Sequence, residues 1–308
     1  MVRTGTLTLP HGITLHCHSS GHPDQPLLVF LHGFPEGAFI WDGLLEQLGT
    51  DFYCVAPDLR GYGHSSQPAA VQDYRPKLLV QDLVALIEQL TPGRPAACVI
   101  AHDWGGALAW NLANQHPRLM QQLLIINAPH PGSFLRELQH NPAQQAASQY
   151  MHYLRRPGAP QQLLANEGEK LFAFFRDTQG RWPAWLTPAL RAQYLAHWQL
   201  GLHGPCAYYA ASPLVPPREG DHSVMDLQLP EAMLRIEAPA HILWGEQDVA
   251  LQPQLLNGLE AWIPDLHIQR VPHASHWLVH EVPELVIDTL HQLLDQQAPT
   301  QNNSYQPR

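Results

Sequence analysis

Asp103 stands in VIAHDWGGALAW (residues 99–110), where an apolar, strand-like run breaks at the aspartate, meets Gly105 and Gly106, and continues as helix-forming sequence. A strand-to-helix turn of the form small-x-nucleophile-x-Gly lifts one side chain clear of a sheet. It leaves the next residue's N–H beside the positive end of the helix dipole. Ala101 replaces the usual first glycine here. A serine or cysteine at such a turn makes an acyl ester, whereas a carboxylate can displace an alkyl leaving group and become an alkyl ester itself. An ordinary helix N-cap aspartate has the same local sequence, so other parts of the chain must separate the two.

Three further loops do so. LHGFP (31–35) follows an apolar run and can turn the Phe34 N–H toward the nucleophile, to act with that of Trp104 as an oxyanion hole. WGEQD ends another apolar run in Asp248, and PHASHW carries His276. Asp248 can orient His276, and His276 can activate water against an ester of Asp103. The chain order Asp103, Asp248, His276 is nucleophile, acid, base, with every motif at the carboxyl end of an expected strand.

The elements that must position these groups alternate. GTLTLPHGITLHCHS reads as two strands about a His-Gly turn, PLLVFL as a buried strand, AFIWDGLLEQLG as a helix and FYCVAPDLRG as a strand. PKLLVQDLVALIEQL is an amphipathic helix with Pro76 near its start, and AACVIAHD, WGGALAWNLANQH and MQQLLIIN follow as strand, helix and strand. Alternation of this kind implies a parallel sheet with helices on both faces. After Asn127 the rhythm changes to proline, aromatic and helix-like segments (QYMHYLRR, KLFAFFRD, PALRAQYLAHWQ) with no buried strand. The alternation resumes with PAHILWGEQD, an expected helix QPQLLNGLEAWI, the strand LHIQRVPH and the helix PELVIDTLHQLL. The expected division is a core over 1–128 and 229–295, a helical cap over 129–228, and a loose polar tail over 296–308.

Seventeen basic against 27 acidic side chains, net charge -10, with no Lys/Arg cluster, argue against nucleic acid as a partner. No segment approaches the ~18 uninterrupted apolar residues of a membrane helix, so a membrane is not expected and a cytoplasmic protein is. Cys17, Cys54, Cys98 and Cys206 lie far apart and read as free core thiols. The 20 histidines form no HExxH spacing, so neither metal nor cofactor is expected. A homodimer is an open option.

Through HGFPE, HDWGG, WGEQD and HASHW, residues 1 to about 295 resemble the α/β-hydrolase superfamily, and within it the epoxide hydrolases and their dehalogenase relatives. The resemblance implies a helical cap on an α/β core and two cap tyrosines that hydrogen-bond the opening epoxide oxygen. QYMHYLRRPG and HGPCAYYA nominate Tyr150 and Tyr209, with Tyr153 and Tyr208 as the alternatives one register away. Similar haloacid dehalogenases place arginines where this chain has Trp104 and Ala107, which cannot clamp a carboxylate. Haloalkane dehalogenases resemble it at Trp104, but many place Asn at Phe34, and phenylalanine donates nothing to halide.

The reaction implied is water addition to a small apolar epoxide, giving a vicinal diol through an aspartyl ester. A dehalogenase with the same nucleophile, or a non-catalytic ligand-binding protein on this scaffold, are the alternatives. Asn127 stands where some relatives carry the triad acid, which leaves Asp248 for that role; Asp58, His32 and His102 read as loop scaffold, and Glu36 has no assigned role.

Overall fold

The computed structural model describes residues 1–177 and 179–295. The tail expected over 296–308 lies outside the described residues. Eight strands form one sheet: β1 (Arg3–Thr8), β2 (Thr14–Ser20), β3 (Leu27–Leu31), β4 (Tyr53–Pro57), β5 (Cys98–His102), β6 (Leu123–Ile126), β7 (Ala240–Gly245) and β8 (Leu266–Val271). Their order is β1-β2-β4-β3-β5-β6-β7-β8. β2 runs antiparallel to β1 and β4, and the other pairs are parallel. The helices are α1 (Asp42–Leu48), α2 (Pro76–Leu90), α3 (Asp103–Gln115), α4 (Pro131–His140), α5 (Pro142–Ala147), α6 (Tyr150–Leu154), α7 (Ala159–Phe172), α8 (Pro188–Gln199), α9 (His203–Ala211), α10 (Leu278–Glu281) and α11 (Pro283–Asp295).

The central strands β3, β5 and β6 are buried at every position and almost wholly apolar because both faces are covered. Leu28 and Phe30 of β3, Cys98 and Ile100 of β5, and Leu124 and Ile126 of β6 face one core, closed by Leu45 and Leu48 of α1 and Val286 and Leu290 of α11. Their neighbours Val29, Leu31, Val99, Ala101, Leu123 and Ile125 face the opposite core, closed by Leu79 and Leu83 of α2 and Leu108 and Leu112 of α3. Each such fully buried side chain contributes about 1.5–3 kcal/mol. The four cysteines are buried and free. The sheet thus has the mostly parallel, doubly covered architecture expected from the alternation.

Between β6 and β7 the described residues add helices α4 to α9 and no strand. Of their apolar side chains, Met151, Leu154, Phe172, Tyr194 and Trp198, with Phe175 beside them, continue the first core, while Leu135 and Leu138 of α4 form a small cluster of their own with Val224. No described helix is long and apolar enough to cross a membrane.

One expected helix is corrected. QPQLLNGLEAWI folds as two short 3₁₀ turns, Pro253–Leu256 and Leu259–Ala261. Asn257 is extended (φ -74, ψ 133) and Gly258 is left-handed (φ 74), so an Asn-Gly pair with strong turn preference breaks the helical ladder despite the apolar spacing around it. In AFIWDGLLEQLG only the second half is α-helical; Ala38–Trp41 is a 3₁₀ turn.

The helix after β5 packs tightly on its neighbours. A Cβ placed on Gly106 would lie 2.2 Å from the Ala128 Cβ, a contact with no flexible chain end to move. Gly106→Ala is therefore expected to destabilise the fold by about 1–3 kcal/mol through overpacking, read as a lower midpoint in chemical denaturation with an unchanged slope.

Candidate active site

The β5–α3 junction brings the site's central carboxylate out of the sheet. His102 is still extended (φ -118, ψ 142), and Asp103 is a non-glycine residue at φ 50. Such a conformation costs about 1–3 kcal/mol and needs a rigid surround. The surround is backbone against backbone: a Cβ on Gly105 would sit 2.5 Å from the Leu31 carbonyl oxygen, and one on Gly33 would sit 2.2 Å from Asp103 Oδ1. With glycine at both positions the 31–36 loop closes on the turn, and the Phe34 N–H donates to Asp103 Oδ1 at 2.7 Å. Trp104 heads α3 beside it. Among the described residues its amide makes no hydrogen bond to the planar carboxylate.

His276, on the loop between β8 and α10, donates through Nδ1 to Asp248 Oδ2 at 2.7 Å and presents Nε2 to Asp103 Oδ2 at 3.7 Å. An ionised Asp248 only accepts, which fixes the proton on Nδ1. Asp248 is fully buried and takes three more donors: the Asn127 amide at 2.8 Å, and the N–H groups of Ala250 and Leu251 at 2.8 and 2.9 Å. Burial alone would raise its pKa, but His276 and these donors hold it below the ordinary value. Burial would likewise lower His276, yet the carboxylates of Asp248, Asp103 and Glu36 raise it from 6.5 to about 9.

Glu36 is fully buried and ties this loop to three other elements. Its Oε1 accepts from the Tyr194 hydroxyl of α8 at 2.6 Å and faces Nε2 of His280 of α10 at 2.7 Å; its Oε2 lies 3.3 Å from Nδ1 of His102. Burial disfavours its charge, but His280 and His102 hold its carboxyl well below the usual range. His102 in turn uses Nε2 on the His276 carbonyl at 2.8 Å. His32 accepts the Leu59 N–H at 3.0 Å and donates to the Gly33 carbonyl at 3.0 Å, while Asp58 accepts the Ala38 N–H at 2.8 Å. These contacts are loop scaffold, as expected from the sequence.

Above Asp103 lies a cavity of about 210 Å³, lined by Asp103, Trp104, Tyr150 and Tyr209 and otherwise mostly by apolar side chains. Tyr150 opens α6 and Tyr209 sits on α9, their ring centres 6.0 Å apart. Burial pushes both hydroxyls above the ordinary tyrosine range, which keeps them protonated as donors. The register alternatives sit elsewhere. Tyr208 donates to the Arg60 carbonyl at 2.9 Å, and Tyr153 hydrogen-bonds Gln162 and Lys170 at an exposed edge.

Three residues at or beside the site carried no such role in the sequence. Asn127 is an amide where an acid was sought, and it braces the acid instead. Glu36 follows the HGFP turn with no local sign of its partners, which lie 66 to 244 residues away. Phe174 packs edge-on to Phe34 and Tyr150 with ring centres 5.8 Å apart in each pair. The sequence leaves Phe174 open between pocket lining and the cap's own core.

The sheet order, the strained turn and the Asp-His-Asp constellation at the carboxyl edge define the α/β-hydrolase class. The family model for the alpha/beta hydrolase fold matches residues 26–283. The chain is 33% identical over 279 residues to AB hydrolase superfamily protein YfhM of Bacillus subtilis, covering 90% of this chain and 92% of that one. It is 31% identical to epoxide hydrolase 3 of Xenopus tropicalis, covering 89% and 73%. Among solved structures, an epoxide hydrolase from Bacillus megaterium superposes with a TM-score of 0.85 at 29% identity, over 94% of this chain and all of that one. The chain belongs to the epoxide hydrolase family of the α/β-hydrolase superfamily.

Two predictions follow from His276. Removing the facing charge in Asp103→Asn, a residue that tolerates the left-handed turn, is expected to lower the His276 pKa below 9, read by NMR titration of the imidazole. Because the folded pKa lies above the ordinary 6.5, its contribution to stability is fully present below pH 6.5 and is lost as pH rises through about 9. Denaturation of wild type between those limits should show this loss, and His276→Ala should not.

Proposed function

We propose that the chain hydrolyses epoxides to vicinal diols through an ester of Asp103. The observation that carries the reading is a single apolar cavity lined by a carboxylate that faces a hydrogen-bonded imidazole and by two protonated tyrosines, one buried and one half-buried. A carbon-halogen bond needs no acid opposite the nucleophile; an oxirane does.

In the first step an Asp103 oxygen attacks a ring carbon, the carbon-oxygen bond breaks, and the leaving oxygen takes a proton from Tyr150 or Tyr209. Asp103 is then a neutral ester. The charge 3.7 Å from His276 Nε2 is gone, so the imidazolium releases the proton that the tyrosine needs back. The neutral His276, oriented by Asp248, next removes a proton from water, and the resulting hydroxide attacks the ester carbonyl. The Phe34 and Trp104 N–H groups stabilise the tetrahedral oxyanion, where a donor idle against a planar carboxylate finds its partner. Collapse expels the diol and returns Asp103 as a carboxylate beside a protonated His276. One water and one epoxide are consumed, and the proton count closes.

The proposal assigns residues 1–128 and 229–295 to the core that holds nucleophile, base and acid, and 129–228 to a cap that supplies the tyrosines. All eight strands falling in the former support this division. Four buried free thiols support a reducing, cytoplasmic setting. A homodimer is tested by sedimentation at assay concentration.

His276→Ala is expected to stop after the first step, so that incubation with styrene oxide adds one substrate mass to the peptide carrying Asp103. Turnover by this variant without adduct would overturn the mechanism. Tyr150→Phe with Tyr209→Phe should slow adduct formation by about 10²–10⁴-fold, the range for a lost general acid, with each single change falling between.

A further inference from the structure

The aromatic rings around Asp103 form a closed set. Phe34 meets Phe174 at 5.8 Å, Phe174 meets Tyr150 at 5.8 Å, Tyr150 meets Tyr209 at 6.0 Å, and Tyr209 meets Phe34 at 5.3 Å, every pair edge to face. Edge-to-face contacts of this spacing are attractive and well packed. Two members of the set, Tyr150 and Tyr209, line the cavity; among the described residues Phe34 and Phe174 do not. The cavity thus meets Asp103 beside the two tyrosines.

Phe174, itself half-buried, backs onto further aromatic side chains. The Trp277 indole N–H donates to the Phe174 carbonyl at 3.2 Å, and Phe175 packs edge-on to Trp277 with centres 4.5 Å apart and to Trp185 at 5.3 Å. Phe174 is held by its backbone as well as its ring. The cavity's lining also includes Ala107 of α3, Phe134 and Met233, the last 46% exposed. At about 210 Å³ the cavity exceeds the ~150 Å³ of an apolar cavity that takes a benzene-sized ligand.

Resting on the epoxide reading above, we infer that the site takes epoxides with one apolar substituent, on one ring carbon only, and that Phe174 sets this limit by filling the space a second substituent would need. An oxirane at Asp103 presents two carbons. One can carry a chain into the cavity, and the other faces the Phe34–Phe174 side, where only hydrogen atoms fit. The substrate class is terminal epoxides of medium chain length. A trans-1,2-disubstituted epoxide puts a group on each side of the ring and meets Phe174.

Two isomers of equal size test this directly: 1,2-epoxyoctane carries one hexyl group, and trans-4,5-epoxyoctane carries two propyl groups. Wild type is expected to favour the terminal isomer in kcat/KM by about 100-fold or more, since even single methylenes discriminate about 10–200-fold in a tight pocket. Phe174→Ala is expected to narrow that ratio at least ~10-fold by raising the rate on the trans isomer while diol formation from the terminal one persists. A wild-type ratio within tenfold overturns the inference, as does an unchanged ratio in a folded Phe174→Ala variant. If that variant fails to fold, Ala107→Leu, which fills the open side, should reduce the rate on 1,2-epoxyoctane far more than on 1,2-epoxypropane, and equal effects on both overturn it. Similar rates on both octane isomers leave the epoxide reading standing and defeat this one. No diol from either defeats the epoxide reading and this inference with it.

Discussion

An imidazole with little access to water sits among three carboxylates in this protein, and most of the structure around it serves to make that arrangement bearable. Asp248 at 2.7 Å, Asp103 at 3.7 Å and Glu36 through His102 all bear on His276. A buried charge left unpaired costs several kcal/mol, so each carboxylate must be supplied with donors. Asp248 has four, drawn from three segments; Asp103 has the Phe34 amide; Glu36 has a tyrosine from α8 and a histidine from α10. The loops converge on the carboxyl edge of the sheet because the charges there require it.

The same arrangement explains the strain at Asp103. A left-handed aspartate aims its carboxylate at the Phe34 amide and the imidazole together, and glycines at 33 and 105 let the loop close over it. Local backbone cost is offset by packing of α3 against β3 and the residues after β6. Electrostatics and sterics are solved by one turn. The groups that line the cavity then come from different parts of the chain, the carboxylate from a strand end and the hydroxyls from helices between β6 and β7.

Much of this was legible in the sequence because its signals are local. Turns at 31–35, 99–106, 244–248 and 272–277 each combine an apolar run with glycine or a titratable residue, and each ends a strand in the sheet. The helix expected over 252–263 shows the opposite case: apolar spacing favoured it, but Asn257 and Gly258 set the backbone. Choosing Tyr209 over Tyr208 was also beyond periodicity, since both are buried on one helix and only the third dimension separates the cavity from the Arg60 carbonyl. Glu36 and Asn127 were opaque for a related reason. Their partners are distant in the chain, and a lone acid or amide carries no imprint of them.

One contact has implications for how molecules come and go. The indole of Trp198, buried in α8, donates to the Pro35 carbonyl at 2.6 Å, one residue before Glu36 takes the hydroxyl of Tyr194 from the same helix. α8 is thereby riveted to the very loop whose Phe34 N–H meets Asp103. Lifting α8 would pull on that loop and leave the buried Glu36 carboxylate without its tyrosine. The cavity's lining also includes the exposed Met233, which takes no part in these bonds. An opening at α8 would thus cost two buried hydrogen bonds that an opening at Met233 would not.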